Sequence, residues 1–444
     1  MDRENRIYRV NRRQFLKLAA GGVAALTLAR RPAAASTYRV GVGHHTDSYT
    51  ATMRAISASD EWVPGMIYGR TVIIKPNLLV GTSPDSGIIT DAQVVRAIVD
   101  LALAAGAFKI RIVEGSPGGS NFSACGYDFL QDYGGSGRVS LVDLDSLPVQ
   151  SASIDGGLAY EQITMPEMVL QPNTYLISVG KLKTHAETLA TLATKNIFGL
   201  PPVSYYSPPG ENGRFAMHYR GVNQATVDLN LARPIDFAVV DGIWGMEGLG
   251  PYGGTPVRMD TVVAGANAVA VDRVCMEIMS VPQLWVQHLT YAARLGLGPA
   301  SLDSVQVAGD PVTPRAFSLP TFPPQVEYPR LSPAAFDPAG GQQTSITTWV
   351  SRPCQARVEI VRTSDSSTDV THVRWLRNWT SRPAGIDTLA WDGRDDSGEI
   401  VAPGRYTVRV EADGQQPARN AFATSKVEVA ELVNGRLFLP SILG

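Results

Sequence analysis

Short β-branched runs separated by helical patterns recur from Tyr38 to about Val307, and no other feature of the chain restricts its fold as strongly. The runs are residues 38–42, 71–74, 109–113, 139–142, 174–179, 236–240 and 261–263. Between them, residues 91–105 read as a helix capped by Thr90 or Asp91 and stopped by Gly106, and residues 223–232 and 268–279 as two more. Such alternation predicts an α/β domain over residues 36–310, with a largely parallel sheet flanked by helices.

Residues 311–338 hold eight prolines, so residues 311–341 read as a semi-rigid linker without regular structure. Beyond it the pattern changes. Residues 345–350, 357–362, 370–375, 388–391, 406–411 and 426–432 are strand-like and separated by turn residues, which predicts a small all-β sandwich over residues 342–444. Within it, Trp391-Asp392-Gly393-Arg394-Asp395-Asp396-Ser397-Gly398-Glu399 and Pro403-Gly404-Arg405-Tyr406 resemble the Ig-like domain of flagellar hook-capping proteins. The resemblance implies an interaction or spacer module, with another envelope protein as its partner. Asp392, Asp395 and Asp396 read as turn carboxylates, with calcium binding as the alternative.

The amino-terminal 35 residues carry 8 Lys+Arg and 2 Asp+Glu, which leaves 31 basic and 39 acidic residues beyond them. A surface near −8 repels polyanions, which argues against a nucleic-acid partner. Asn11-Arg12-Arg13-Gln14-Phe15-Leu16-Lys17 resembles the twin-arginine signature. An apolar run from Leu18 to Leu28 and Ala33-Ala34-Ala35 follow it, so residues 1–35 read as a twin-arginine signal peptide cleaved after Ala35. The mature protein is then expected in the periplasm, the cell envelope or outside the cell. An uncleaved amino-terminal anchor is the alternative; no apolar stretch of about 18 residues predicts a mature membrane span. Cys125, Cys275 and Cys354 are too far apart in sequence for a zinc or iron–sulfur motif and read as buried apolar residues.

Ligands of open parallel sheets bind beyond the carboxyl ends of the strands. There the sequence places His44-His45, Lys75-Pro76-Asn77, Glu114-Gly115-Ser116-Pro117-Gly118-Gly119, Lys181-Leu182-Lys183-Thr184-His185, and Asp241-Gly242 with Glu247-Gly248. Lys181, Lys183 and His185 alternate, so extended chain would turn all three to one face. Clustered ammonium groups hold an anion, or depress one another's pKa until one becomes a base or nucleophile. A solvated lysine face is the plainer reading. Asp241, Glu247 and Asp272 read as general bases, ligands of a hard divalent cation, helix caps or partners of lysines.

Taken together, Ile74-Lys75-Pro76-Asn77, Gly106-Ala107 with the strand into Glu114-Gly115, Lys181-Leu182-Lys183-Thr184-His185, Lys195-Asn196-Ile197-Phe198-Gly199, Asp241-Gly242, Glu247-Gly248-Leu249-Gly250-Pro251 and Val269-Ala270-Val271-Asp272 resemble the family called domain of unknown function 362. The resemblance spans roughly residues 38–300 and implies one shared α/β site. Some relatives carry ferredoxin-type cysteine clusters; this chain lacks those cysteines, so no iron–sulfur cluster is expected on it. The expected site is catalytic at Lys183, His185, Glu114 and Asp241, and binds its ligand through Lys75, Asn77, Gly115, Lys195 and Asn196. Glu247 and Asp272 are the metal candidates. The expected function is an exported enzyme, of isomerase, lyase or hydrolase type, acting on a small anionic molecule. Lys75 and Lys195 would hold the anion, and Lys183 and His185 would move protons. The alternatives are a non-catalytic envelope binding or scaffold protein and a redox accessory protein.

Overall fold

The computed structural model describes residues 38–438, apart from 117–120, 132, 134–136, 209, 321–323, 325, 327–328, 364–369, 414–420 and 434–435. Residues 1–35, where an export segment is expected, and Pro117-Gly118-Gly119 lie outside the described residues. In chain order the α/β domain forms strands β1 (Tyr38–His44), β2 (Thr71–Pro76), β3 (Lys109–Glu114), β4 (Val139–Asp143), β5 (Val149–Ser153), β6 (Gln162–Pro166), β7 (Thr174–His185), β8 (Leu189–Ala190), β9 (Phe237–Leu249), β10 (Gly253–Gly265) and β11 (Val305–Gly309). Its longer helices are α1 (Ser48–Ser59), α2 (Ala92–Ala104), α3 (Val222–Ala232), α4 (Ala268–Ile278) and α5 (Gln287–Arg294).

The main sheet runs β11-β1-β10-β9-β7-β2-β3-β4, with β8 paired to β7. Along that order only β10 is antiparallel to its neighbours, so β1, β2, β3, β7 and β9 all end at the same edge. Alternate residues divide between two cores. Val72 and Ile74 enter the core shared with α1 and α2, while Ile73 enters the core opposite, with Ala225 and Leu229 of α3. Burial on both faces is what makes these strands read as continuous apolar runs.

Helix α1 gave no clear apolar signal in the sequence. Its small residues have another use: a Cβ on Gly43 would stand 2.0 Å from the Ala51 carbonyl oxygen, so the helix lies directly on strand β1. The helix expected over residues 91–105 is α2, with the Asp91 carboxylate accepting from the Gln93 N–H as its cap. No helix among the described residues is long and apolar enough to cross a membrane.

The proline-rich stretch is more ordered than its composition predicts. Phe317 is buried in the α/β core, and Arg315 N–H and Phe317 N–H donate to the carbonyls of Ile278 and Met279. Further on it supplies β12 (Arg330–Ser332) and β13 (Ala335–Phe336), so the sandwich begins before residue 342. β14 (Thr344–Val350), β15 (Cys354–Thr363), β16 (Val370–Arg382), β17 (Gly385–Trp391), β18 (Gly404–Ala412) and β19 (Ala421–Val429) complete sheets ordered β12-β14-β17 and β13-β19-β18-β15-β16. Trp391 fills the core, edge-on to Phe336 and Tyr406. In the following turn the Asp395 carboxylate accepts from Ser397 and Glu399 N–H, Asp392 pairs with Arg374, and Asp396 with His372. These are turn and ion-pair roles, and no group of three or more potential metal-binding residues stands together among the described residues.

Candidate functional site

The parallel pairing of β2 and β3 brings the side chain of Lys75, next to the last residue of β2, within reach of Glu114, the last residue of β3. Both are buried, and Lys75 Nζ donates to Glu114 Oε2 at 2.7 Å. Glu114 also accepts from the N–H groups of Leu78 and Gly115, so three hydrogen bonds hold its carboxylate. The Gly115 N–H is thereby occupied and is not offered to an anion. Gly199 closes over the pair, where a Cβ would lie 2.9 Å from Lys75 Cε, and Arg214 donates to the carbonyls of Gly115 and Gly199.

A chain of amides leads from this pair to Lys183. Asn196 Nδ2 donates to the Lys75 carbonyl and to Ser178 Oγ, which leaves Asn196 Oδ1 to accept from Asn77 Nδ2. Asn77 Oδ1 then accepts from Lys183 Nζ at 2.8 Å, and the Ile88 carbonyl accepts from the same nitrogen at 2.7 Å. Burial, followed by the charges of Lys195 and Lys181, holds the Lys183 pKa well below its ordinary value. The Pro251 carbonyl, at 3.5 Å, is a third and longer acceptor for the same nitrogen.

Two residues earlier on β7, Lys181 has different company. It donates to Asp241 Oδ2 at 2.8 Å, with both side chains wholly buried. Asp241 also accepts from the N–H groups of Asp91 and Ile243. The β7–β9 register shifts between Lys181 and Lys183, with the extra residues on β9, and the two lysines donate to separate partners. Asp241 is thus a structural counter-charge, away from the Lys75–Glu114 pair in its contacts.

Lys195 lies on the short helix Leu192–Asn196, which Asp272 holds in place by accepting from Ala193 N–H, Thr194 N–H and Thr194 Oγ1–H. Burial raises the Asp272 pKa to about 7. Glu247 is elsewhere, accepting from Ser318 N–H and facing Arg315. The two metal candidates are therefore separately employed. Lys195 itself is 8% exposed, its Nζ sits 4.9 Å from the Phe198 ring centroid, and it makes no hydrogen bond among the described residues. Burial lowers its pKa to about 8, against the opposing charge of Glu187.

His185 faces this lysine electrostatically, together with Lys183, His218 and His288. Its Nδ1 accepts from the Glu187 and Thr188 N–H groups, so the neutral ring carries its hydrogen on Nε2. Burial and the surrounding positive charges hold its pKa well below the ordinary histidine value. His218, partly exposed, pairs with Glu187 at 2.6 Å and packs edge-on to Phe198. The sequence reading missed His218, Glu187, Arg214 and His288; its one available signal was scarcity, since three of only six histidines converge here. Leu189 and Leu192, in the same segment, adopt left-handed backbone at φ +68° and +52°, a strained state for non-glycine residues that clusters at functional sites.

Residues 72–277 match the family described as Domain of unknown function (DUF362), and residues 376–416 match the FlgD Ig-like domain. The chain is 26% identical over 250 residues to the thylakoid-associated protein sll1697 of Synechocystis sp., which covers 53% of this chain and 71% of that protein. Among solved structures, FlgD from P. aeruginosa is 14% identical with a TM-score of 0.17, covering 28% of this chain and 89% of that one. Alkylpurine DNA glycosylase AlkC of Pseudomonas fluorescens, bound to DNA, is 13% identical with a TM-score of 0.17, covering 37% of this chain and 45% of that one. Likenesses at that level carry no argument about function.

Proposed function

We propose, from the premise that the chain carries a DUF362 domain followed by an FlgD Ig-like domain, that this is an exported enzyme whose α/β domain binds a small anion at Lys195 and moves a proton on it with Lys183 and His185. The observation that carries the reading is the Lys195 ammonium, on a largely buried side chain and set against the Phe198 ring with no hydrogen bond among the described residues, beside an amine and an imidazole whose other contacts are fixed. An ammonium held against an aromatic ring with its N–H groups unused is free to donate to an anionic ligand. Lys75, committed to Glu114, supports the site through the Asn196 and Asn77 amides rather than holding the anion.

Lys183, whose proton is easier to lose because burial lowers its pKa, then acts as the base in its deprotonated form, and His185 Nε2–H as the donor to charge that develops on the substrate. Isomerase, lyase and hydrolase chemistry all begin with such a step. Calorimetry of the full chain with a panel of carboxylates and phosphates tests the binding part. Lys195→Met should abolish binding, and affinity should fall as pH rises through about 8, where Lys195 loses its proton. Lys183→Met should keep binding and remove turnover of the substrate so found; undiminished turnover in that variant ends the catalytic assignment.

A non-catalytic binding or scaffold protein is the second reading, favoured by the sandwich docked on the α/β domain. Thr424 Oγ1 donates to the Leu158 carbonyl there, and Arg405 and Lys426 both reach Glu161. It predicts that the same anion raises the melting temperature and is recovered chemically unchanged.

A further inference from the structure

His288 is fully buried on α5, and its neighbours determine which of its nitrogens carries hydrogen. The Val326 carbonyl can only accept, so the Gln287 group 2.6 Å from it is the Nε2 amide. Gln287 therefore offers Oε1 to Asn223 Nδ2, at 3.3 Å, and this turns Asn223 Oδ1 toward His288. His288 Nδ1, 3.1 Å from that oxygen, must be the donor, which leaves Nε2 as a bare acceptor.

That acceptor is buried and has no partner among the described residues. Buried polar atoms are nearly always satisfied, so one left open points to a missing donor. Protonating the ring does not resolve it, because burial and the charge of Lys195 hold the His288 pKa down at about 3. Thr191 Oγ1, one residue before the helix that bears Lys195, is a second buried polar atom without a partner. The neighbourhood thus presents donors from Lys195 and His185 and an acceptor from His288. A ligand that fits must bring both an acceptor and a donor of its own. An ammonium on the ligand would supply a donor, but it would enter the positive field of Lys195.

We infer that the anion bound at Lys195 is a hydroxy acid, whose hydroxyl donates to His288 Nε2 while its anionic group faces Lys195. The inference rests on the anion site proposed above and adds the substrate class. Calorimetry of the full chain with two pairs of anions, lactate against propionate and malate against succinate, tests it. Members of each pair match in charge and differ by one hydroxyl. The hydroxylated member should bind at least about tenfold more tightly. In His288→Phe the ratio should fall to near one, with propionate and succinate held within about threefold of their original affinity.

Equal affinities within both pairs in the unaltered protein overturn the hydroxy-acid assignment and leave the anion site standing. Failure of all four to bind overturns the anion site, and this inference with it. A second measurement does not depend on the ligand or on the stability of a variant. With ¹⁵N-labelled histidine, the His288 imidazole should carry its proton on Nδ1 at neutral pH, and a spectrum placing it on Nε2 overturns the inference.

Discussion

An amine inside a protein is accommodated by a carboxylate partner or by neutral acceptors with a lowered pKa, and Lys181 and Lys183 show one course each. Lys181 pairs with Asp241, both at 0% exposure. Removing one partner of such a pair strands the other charge, at about 3–5 kcal/mol, whereas removing both is far milder. Lys181→Met should therefore lower stability by about that amount in urea unfolding of the full chain, and Lys181→Met with Asp241→Asn should regain much of it. An unchanged unfolding midpoint in the single variant would show that Asp241 does not depend on Lys181. The sequence showed both lysines as equivalent members of a K-x-K-x-H motif. Their divergence depends on the register shift between β7 and β9 and on amides contributed from β2 and the Leu192–Asn196 helix, none of which has a local signature. Asp272 misled for a related reason: a carboxylate that caps a buried helix has the same sequence appearance as one that holds a metal.

At the scale of elements, strands were the most legible part, because β2, β7 and β9 are buried on both faces and keep unbroken apolar character. The exposed strand β5, the short buried strand β6 and the serine- and threonine-rich α1 carry no such pattern and were missed. The approach of the Leu192–Asn196 helix to β7 depends on Gly180, where a Cβ would stand 2.4 Å from the Leu192 carbonyl oxygen and 2.5 Å from its carbon. Backbone cannot yield as a flexible side chain does. Gly180→Ala should cost about 1–3 kcal/mol of stability and, by displacing Lys195, weaken anion binding by more than about tenfold. Gly65, where an added Cβ would meet nothing within 4 Å, is the matched control and should change stability by less than about 0.5 kcal/mol as alanine. Calorimetry and urea unfolding on both variants separate a site effect from a general one.

Across the whole molecule, the strand nearest the amino terminus completes last. β1 pairs with β10 and β11, whose residues lie more than 200 positions further along, so the sheet closes only after most of the chain is made. A protein of this topology suits an export route that carries folded cargo. Arg12→Lys with Arg13→Lys should leave a folded, protease-resistant protein in the cytoplasm, seen by fractionation; undiminished export of that double variant would discard the twin-arginine assignment.

Val326 belongs to both halves of the molecule at once. Its side chain lies in the sandwich core and its backbone bridges Val350, while its carbonyl steadies Gln287 beside the lysine cluster. Gene recombination that traded the carboxyl-terminal module for another would thus also release an amide that sets the polarity of an imidazole more than 30 residues upstream. The two modules are expected to descend as a linked pair, and a natural exchange of one should be accompanied by substitutions at positions 223, 287 or 288.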